Sequence, residues 1–216
     1  MHNKFEMSMM GELKFFLGIQ IHQSSCGIFI NKDKYTQEIL KKYGMTSCDS
    51  IGTPMATKTL EVDLSGTPIN QTKYRSMVRV LMYLTTSRPD IVHATCYCAR
   101  YQARPTEKHL KEVKRIFRCL KNTIHMGLSY PKDTGGDKLV SWLSKKQDCT
   151  SMSIAEAEYE NVERGIVELL FVGTEYQLAD LFTKALPEYR FKHLVRRLGM
   201  RCLTPAELEI LANESV

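Results

Sequence analysis

The sequence predicts an α+β fold in which a β-hairpin precedes a set of helices and a smaller α/β region follows. Two patterns support this fold class. Apolar residues alternate with mostly polar ones near the start of the chain, and they recur at helical spacing in later segments. The stretch "YPKDTGGD" at 130–137 changes the composition and marks the predicted boundary between the two regions.

The predicted hairpin begins with an apolar alternation that is typical of a half-buried strand. Its apolar positions are Leu13, Phe15, Leu17, Ile19 and Ile21. The segment "SSCG" at 24–27 predicts a turn, and "IFIN" at 28–31 predicts the returning strand. A helix follows, with Asp33 as its candidate N-cap and Gly44 at the position where helices commonly stop. Its apolar face carries Tyr35, Ile39, Leu40 and Tyr43.

An extended connection and two helical segments come next. Residues 45–70 are rich in Ser, Thr, Gly and Pro, which favours irregular structure. The helix after them is about 15 residues long by its apolar spacing. Its apolar positions are Tyr74, Met77, Val78, Leu81 and Leu84. Pro89 interrupts the pattern because its ring clashes with the preceding turn, and a second helical stretch covers about 90–102.

The clearest helix is "TEKHLKEVKRIFRCLKNT" at 106–123, with Thr106 as its candidate N-cap. Its predicted buried stripe consists of Leu110, Val113, Ile116, Phe117 and Leu120. The opposite surface carries a basic line of Lys108, Lys111, Arg115 and Arg118, flanked by Lys114 and Lys121. Two interpretations remain open: a solvated face, or a helix that follows nucleic-acid phosphates and releases them at high salt.

Beyond the boundary, short segments alternate between strand-like and helix-like patterns. "KLVSWL" and "IVELLFV" predict strands, while "AEAEY" and "YQLADLFTKAL" (176–186) predict helices. A basic stretch, "YRFKHLVRRLGMR", then contributes Arg196 and Arg197.

Composition narrows the class of partner and compartment. The net charge of +6 favours a polyanionic partner. Seven scattered cysteines argue against a disulfide framework and predict a reducing, intracellular compartment, with cytoplasm and nucleus both open. No apolar run approaches the roughly 18 residues of a membrane span, so no membrane association is expected. The N-terminal residues show no secretory signal pattern.

Several motifs of the chain resemble those of one known family. The motifs "GELKFFLGIQI", "IGTPMA", "YRSMVRVLMYLTTSRPDI" and "HLKEVKRIFRCLKNT" resemble the downstream part of the reverse transcriptase in the Pol polyprotein of copia-type retrotransposons. "LVSWLSKKQ", "SIAEAEY" and "FVGTEYQLADLFTKALPEYRF" resemble the ribonuclease H that follows it. The matches run in family order from residue 4 to about 203.

The resemblance implies three regions along the chain. Residues 1–130 correspond to the palm end with a helical thumb- and connection-like bundle of a reverse transcriptase. Residues 131–203 correspond to a degenerate, incomplete ribonuclease H-like α/β remnant, and 204–216 form a C-terminal tail. The family's "YVDD"-like polymerase motif does not occur in the sequence. Because phosphoryl transfer depends on carboxylate-held metal ions, polymerisation is not expected.

The ribonuclease H motifs imply only two of the family's magnesium ligands. The helix-borne glutamate matches Glu158, with Glu156 as the alternative, and the late aspartate matches Asp180. Segments resembling "SDAD" and "CDN", which carry further aspartates, are not found. Two carboxylates should hold Mg²⁺ weakly, so Glu158 and Asp180 are predicted to be a vestigial catalytic and metal site. The alternative is a structural role for these acidic segments, in which Glu160 pairs with Arg164 and Asp180 pairs with Lys184 on the surface.

Three functional hypotheses follow from the resemblance and the residues together. The first is an inactive Pol fragment that retains an RNA–DNA hybrid or duplex without sequence preference. Its predicted contacts are Lys108, Lys111, Lys114, Arg115, Arg118, Lys121, Arg196 and Arg197. The second is an active Mg²⁺-dependent ribonuclease, and the third is a relic reading frame without a molecular role. A full-length Pol protein is a further expected partner, and Mg²⁺ is expected only if activity remains.

Overall fold

The computed structural model describes residues 13–24, 27–57, 66–132, 173–204 and 206–207. The chain divides into two compact units, residues 1–133 with 178–216, and residues 134–177. In the second unit the described structure is a short 3-10 helix, Thr174–Tyr176. The predictions for "KLVSWL", "AEAEY" and "IVELLFV" lie outside the described residues.

A five-stranded antiparallel sheet forms one part of the first unit. Its strands lie side by side in chain order. They are β1 (Phe15–Phe16), β2 (Ile19–Ser24), β3 (Gly27–Asn31), β4 (Met126–Pro131) and β5 (Met200–Cys202). The predicted hairpin is confirmed as the β2–β3 pair, in which Ser24 faces Gly27.

The prediction of one continuous first strand is wrong. The chain turns at Leu17 and Gly18, which both have positive φ angles, 48° and 75°. This turn splits the segment into β1 and β2, which pair with each other. The hydroxyl of Tyr83 donates to the Leu17 carbonyl at 2.5 Å. The alternation of apolar residues therefore continued through a turn that sequence periodicity does not reveal.

Helices form the other part of this unit. They are α1 (Asp33–Lys42), α2 (Gln71–Leu84), α3 (Val92–Ala99), α4 (Glu107–Asn122), α5 (Asp180–Thr183) and α6 (Glu188–Arg197). The predicted interruption at Pro89 is confirmed, since α2 ends before it and Pro89 begins a 3-10 helix, Pro89–Ile91. The described residues of 45–70 contain no helix or strand, which agrees with the predicted connection.

The main core lies between α1, α2, α3 and α4. All five apolar residues predicted for α2 are buried. In α4 the predicted stripe is buried at Val113, Ile116, Phe117 and Leu120, and Leu110 packs against it partly exposed. Burying a large apolar side chain stabilises the fold by about 1.5–3 kcal/mol, so both stripes contribute substantially to the stability of this core.

A second apolar cluster joins the C-terminal segment to the sheet. Its buried residues are Leu181, Leu186, Phe191, Leu194, Val195 and Met200, and Met126 and Leu128 of β4 pack against them. Strand β5 pairs with β4, so residues on both sides of the predicted boundary at 130/131 share one sheet. The family regions assigned to 1–130, 131–203 and 204–216 stay predictions.

Two helix-end predictions are wrong. Asp33 is the first residue of α1, not its N-cap; the capping position belongs to Lys32, whose side chain is buried. The Lys32 ammonium donates to the Tyr83 carbonyl at 3.0 Å and to Thr86 Oγ1 at 2.8 Å. The helix predicted over 176–186 is only the four-residue α5. The Lys32 contacts join residues 51 and 54 positions apart, which local sequence patterns do not reveal.

Candidate functional site

The outer half of α4 presents lysines to solvent. Thr106 forms a capping box with His109, whose Nδ1 accepts from the Thr106 N–H at 2.9 Å. The predicted N-cap is therefore confirmed. After this cap, Lys108, Lys111 and Lys114 are all exposed. Because the opposite face of the helix is buried, these lysines are held on a fixed surface.

The inner half of α4 uses its basic residues differently. Arg115 is half-buried and donates to Thr53 Oγ1 at 3.0 Å. Lys121 donates to the Cys48 carbonyl at 2.5 Å. Arg118 is also half-buried, and its backbone carbonyl accepts from the Ile51 N–H at 3.4 Å. The predicted basic line is thus split, with its second part lying against the 45–57 connection.

The two predicted basic residues of α6 are exposed in its last turn. Phe191, Leu194 and Val195 bury the other face of this helix. Arg196 lines a cleft of about 720 Å³, together with Asn122 at the end of α4, whereas Arg197 does not line it. The structure therefore brings Arg196 near the inner end of α4, away from the exposed lysines at the other end of that helix.

Asp180 lies inside a cluster of opposite charges. The side chain is only 7% exposed. Lys184 Nζ approaches Oδ1 at 2.7 Å, and a guanidinium nitrogen of Arg190 donates to Oδ2 at 2.7 Å. The hydrogen bond from Lys184 lowers the pKa of Asp180, burial opposes this shift, and Arg190 adds to the lowering. Both oxygens are therefore used in ion pairs.

This arrangement confirms the alternative role predicted for Asp180, its pairing with Lys184, and adds Arg190, which the sequence analysis missed. Arg190 lies ten residues further on, so local spacing gave no signal for it. The proposed second ligand, Glu158, lies outside the described residues, as do Glu156 and the pair of Glu160 with Arg164.

Two of the described cysteines, Cys98 and Cys119, are buried. Burial raises the pKa of Cys98 and of Cys119 to about 12, so both thiols stay protonated at neutral pH.

Within the described ranges, no group of three or more His, Cys, Asp or Glu side chains is placed to hold a metal ion. In the same part of the chain, no helix is long and apolar enough to cross a membrane.

A buried ion pair fixes the inner end of α4, and sequence analysis missed it. The Arg88 guanidinium donates to both oxygens of Asp90 at 2.8 and 2.7 Å. It also donates to the Thr123 carbonyl at 2.8 Å and to Thr123 Oγ1 at 2.7 Å. Burial disfavours the charged guanidinium, but Asp90 outweighs this and raises the pKa of Arg88. The sequence shows an Arg and an Asp two residues apart but not their burial.

The chain is similar to a known protein family and to several known proteins. A family profile described as reverse transcriptase (RNA-dependent DNA polymerase) matches residues 1–57. The chain is 30% identical over 193 residues to an uncharacterized mitochondrial protein of Arabidopsis thaliana, a match that covers 76% of this chain and 80% of that protein. No solved structure matches the chain.

Two transposon polyproteins are also similar. The retrovirus-related Pol polyprotein from transposon RE1 of Arabidopsis thaliana is 31% identical over 190 residues, 74% of this chain. The corresponding polyprotein from transposon TNT 1-94 of Nicotiana tabacum is 28% identical over 192 residues, 72% of this chain. The chain spans only 13% and 14% of these two polyproteins.

Proposed function

The chain belongs to the Pol polyprotein family of copia-type retrotransposons, and we propose that it is a catalytically inactive member that binds nucleic acid through phosphates. Its ligand is an RNA–DNA hybrid or a duplex, recognised without sequence preference. The ribonuclease H ancestry of residues 131–203 is part of this proposal. The resemblance of the sequence motifs supports that ancestry.

The observation that carries the binding proposal is the exposed lysine surface of α4, made of Lys108, Lys111 and Lys114. A rise of 1.5 Å per residue spreads these three ammonium groups over about 9 Å of helix axis. Phosphates of one strand follow each other at a comparable scale, about 3.4 Å per nucleotide along a duplex. Backbone phosphates carry no sequence information, so such contacts give affinity without selectivity.

Inactivity is supported by the surroundings of Asp180. A Mg²⁺ ion bound there would have to displace Lys184 and Arg190 from the two carboxylate oxygens. Magnesium also needs near-octahedral oxygen coordination, which two vestigial carboxylates do not complete. A nuclease of two-metal type would lose the paired ions that stabilise the attacking and leaving oxygens. An active ribonuclease is therefore disfavoured.

A gel-shift with a labelled RNA–DNA hybrid tests both parts of the proposal on the same samples. Replacing Lys108, Lys111 and Lys114 together with Gln should weaken retention by about tenfold to a thousandfold, because three phosphate contacts are lost. The matched control replaces Lys41, Lys73 and Arg79 with Gln. These three residues are also exposed but lie on α1 and α2.

The control variant should bind as the wild-type chain does. Equal weakening in both variants would contradict a defined interface, and unchanged retention in the α4 variant would contradict the proposal itself. Adding Mg²⁺ to the same mixtures should leave the RNA strand intact. Cleavage that disappears in Asp180→Asn would contradict inactivity.

A further inference from the structure

The cleft beside the inner end of α4 has the composition of a small anion-binding site. Its volume of about 720 Å³ falls within the range of roughly 300–1,000 Å³ that is typical of small-ligand sites. The end of α4, helix α6 and strand β5 supply most of the lining, and single residues of other segments of the first unit complete it: Gly52, Asp90, Met126, Leu203 and Glu207.

Two arginines at this cleft are available to a ligand. Arg196 of α6 and Arg201 of β5 are both exposed and both line it. Within the described residues, neither guanidinium forms a hydrogen bond or an ion pair. Lys192 also lines the cleft, but its ammonium is paired with Glu188 at 2.5 Å.

The acidic groups of the cleft do not cancel these charges. Asp90 is held by both donor nitrogens of Arg88, so its charge is already balanced. Glu207 is exposed, and its carboxylate accepts from the Thr204 N–H at 2.7 Å and the Thr204 hydroxyl at 2.8 Å. These bonds lower the pKa of Glu207, so it remains an anion. The two arginines therefore share the cleft with one carboxylate, Glu207, whose charge is not balanced by an ion pair within the described residues.

The inner surface of the cleft is apolar. Met126, Phe191 and Met200 line it, and they belong to the second apolar cluster. The amide of Asn122 also lines the cleft and supplies a donor and an acceptor. The apolar surface fits a flat ring, and the two planar guanidinium groups fit a phosphate.

We propose that this cleft binds the phosphate monoester of a nucleoside, with the phosphate on Arg196 and Arg201 and the ring on the apolar surface. The ligand is either a free nucleotide or the 5′-phosphorylated end of a strand. The site is separate from Lys108, Lys111 and Lys114, so its existence does not depend on the proposed hybrid binding. It shares with that function only the chemistry of phosphate recognition.

Calorimetric titration of the full chain with AMP tests the proposal. Arg196→Gln and Arg201→Gln should each weaken binding about tenfold, because each removes charge-assisted hydrogen bonds to the phosphate. The matched control is Arg197→Gln, which removes the same charge from the same helix outside the cleft. Glu207→Gln should tighten binding about twofold to fivefold, since it removes the opposing charge.

Failure of AMP to bind, or an equal loss in Arg197→Gln, would overturn the site. Inorganic phosphate that binds as tightly as AMP would overturn the placement of the ring. A 5′-phosphorylated oligonucleotide that binds more tightly than both AMP and its unphosphorylated counterpart identifies a strand end as the ligand, whereas tighter AMP binding identifies a free nucleotide. The triple Gln variant of Lys108, Lys111 and Lys114 should bind AMP normally, which separates this test from that of hybrid retention.

Discussion

The two halves of α4 carry the same number of basic residues and use them in opposite ways. In the outer half, Lys108, Lys111 and Lys114 are exposed. In the inner half, Arg115 and Lys121 donate to the 45–57 connection. A basic pattern on a helix therefore does not by itself predict an exposed basic surface. The exposure of each basic side chain depends on whether another segment of the chain packs against it.

The inner half is also held at its end by the buried pair of Arg88 and Asp90. Asp90→Ala should break this attachment and leave a buried guanidinium without its anion, at a cost of about 3–5 kcal/mol. Thermal or urea unfolding followed by circular dichroism measures the loss. Asp49→Ala is the control, because Asp49 is exposed and its removal should change stability by less than about 0.5 kcal/mol. Equal effects of the two substitutions would mean that the inner end is not anchored by Asp90.

Asp180 is, like the basic residues of the inner half of α4, bound by other side chains, Lys184 and Arg190. Asp180→Asn should weaken its attachment to Lys184 and Arg190 and cost about 1–3 kcal/mol, less than the loss at Asp90 because Lys184 is largely exposed. The measurement is urea unfolding at several pH values.

The sign of the pH dependence follows from the lowered pKa of Asp180. A carboxylate with a depressed folded-state pKa stabilises the fold above its ordinary value of 3.8, and this contribution is lost as pH falls through the lower folded-state pKa. The difference between wild type and Asp180→Asn should therefore be full near pH 6 and shrink below about pH 4. A difference that grows on acidification would contradict the ion pairs.

Local periodicity predicted the helical core well. The apolar stripes of α2 and α4 were placed correctly because each helix buries one face at a spacing of 3.6 residues. The Thr106 cap was also predictable, since capping depends on nearby residues. The hairpin of β2 and β3 followed from alternation and a turn signal within a few residues.

Features that depend on distant contacts were not predictable. Strand β5 is only three residues long, and both β4 and β5 pair with strands that lie far along the chain. The contact of Arg190 with Asp180 and that of Arg88 with Thr123 join separate elements. The charge pattern predicted every basic residue on the surface of α4, but it does not indicate which of them contact the 45–57 connection.

The salt dependence of duplex DNA binding tests the central claim most directly. Each phosphate contact contributes about 0.9 to the slope of log K against log salt concentration. Replacing Lys108, Lys111 and Lys114 with Gln should reduce the magnitude of this slope by about 2 to 3. Replacing Arg115, Arg118 and Lys121 should leave it nearly unchanged. A larger reduction in the second variant, with both chains shown to be folded by their melts, would contradict the account.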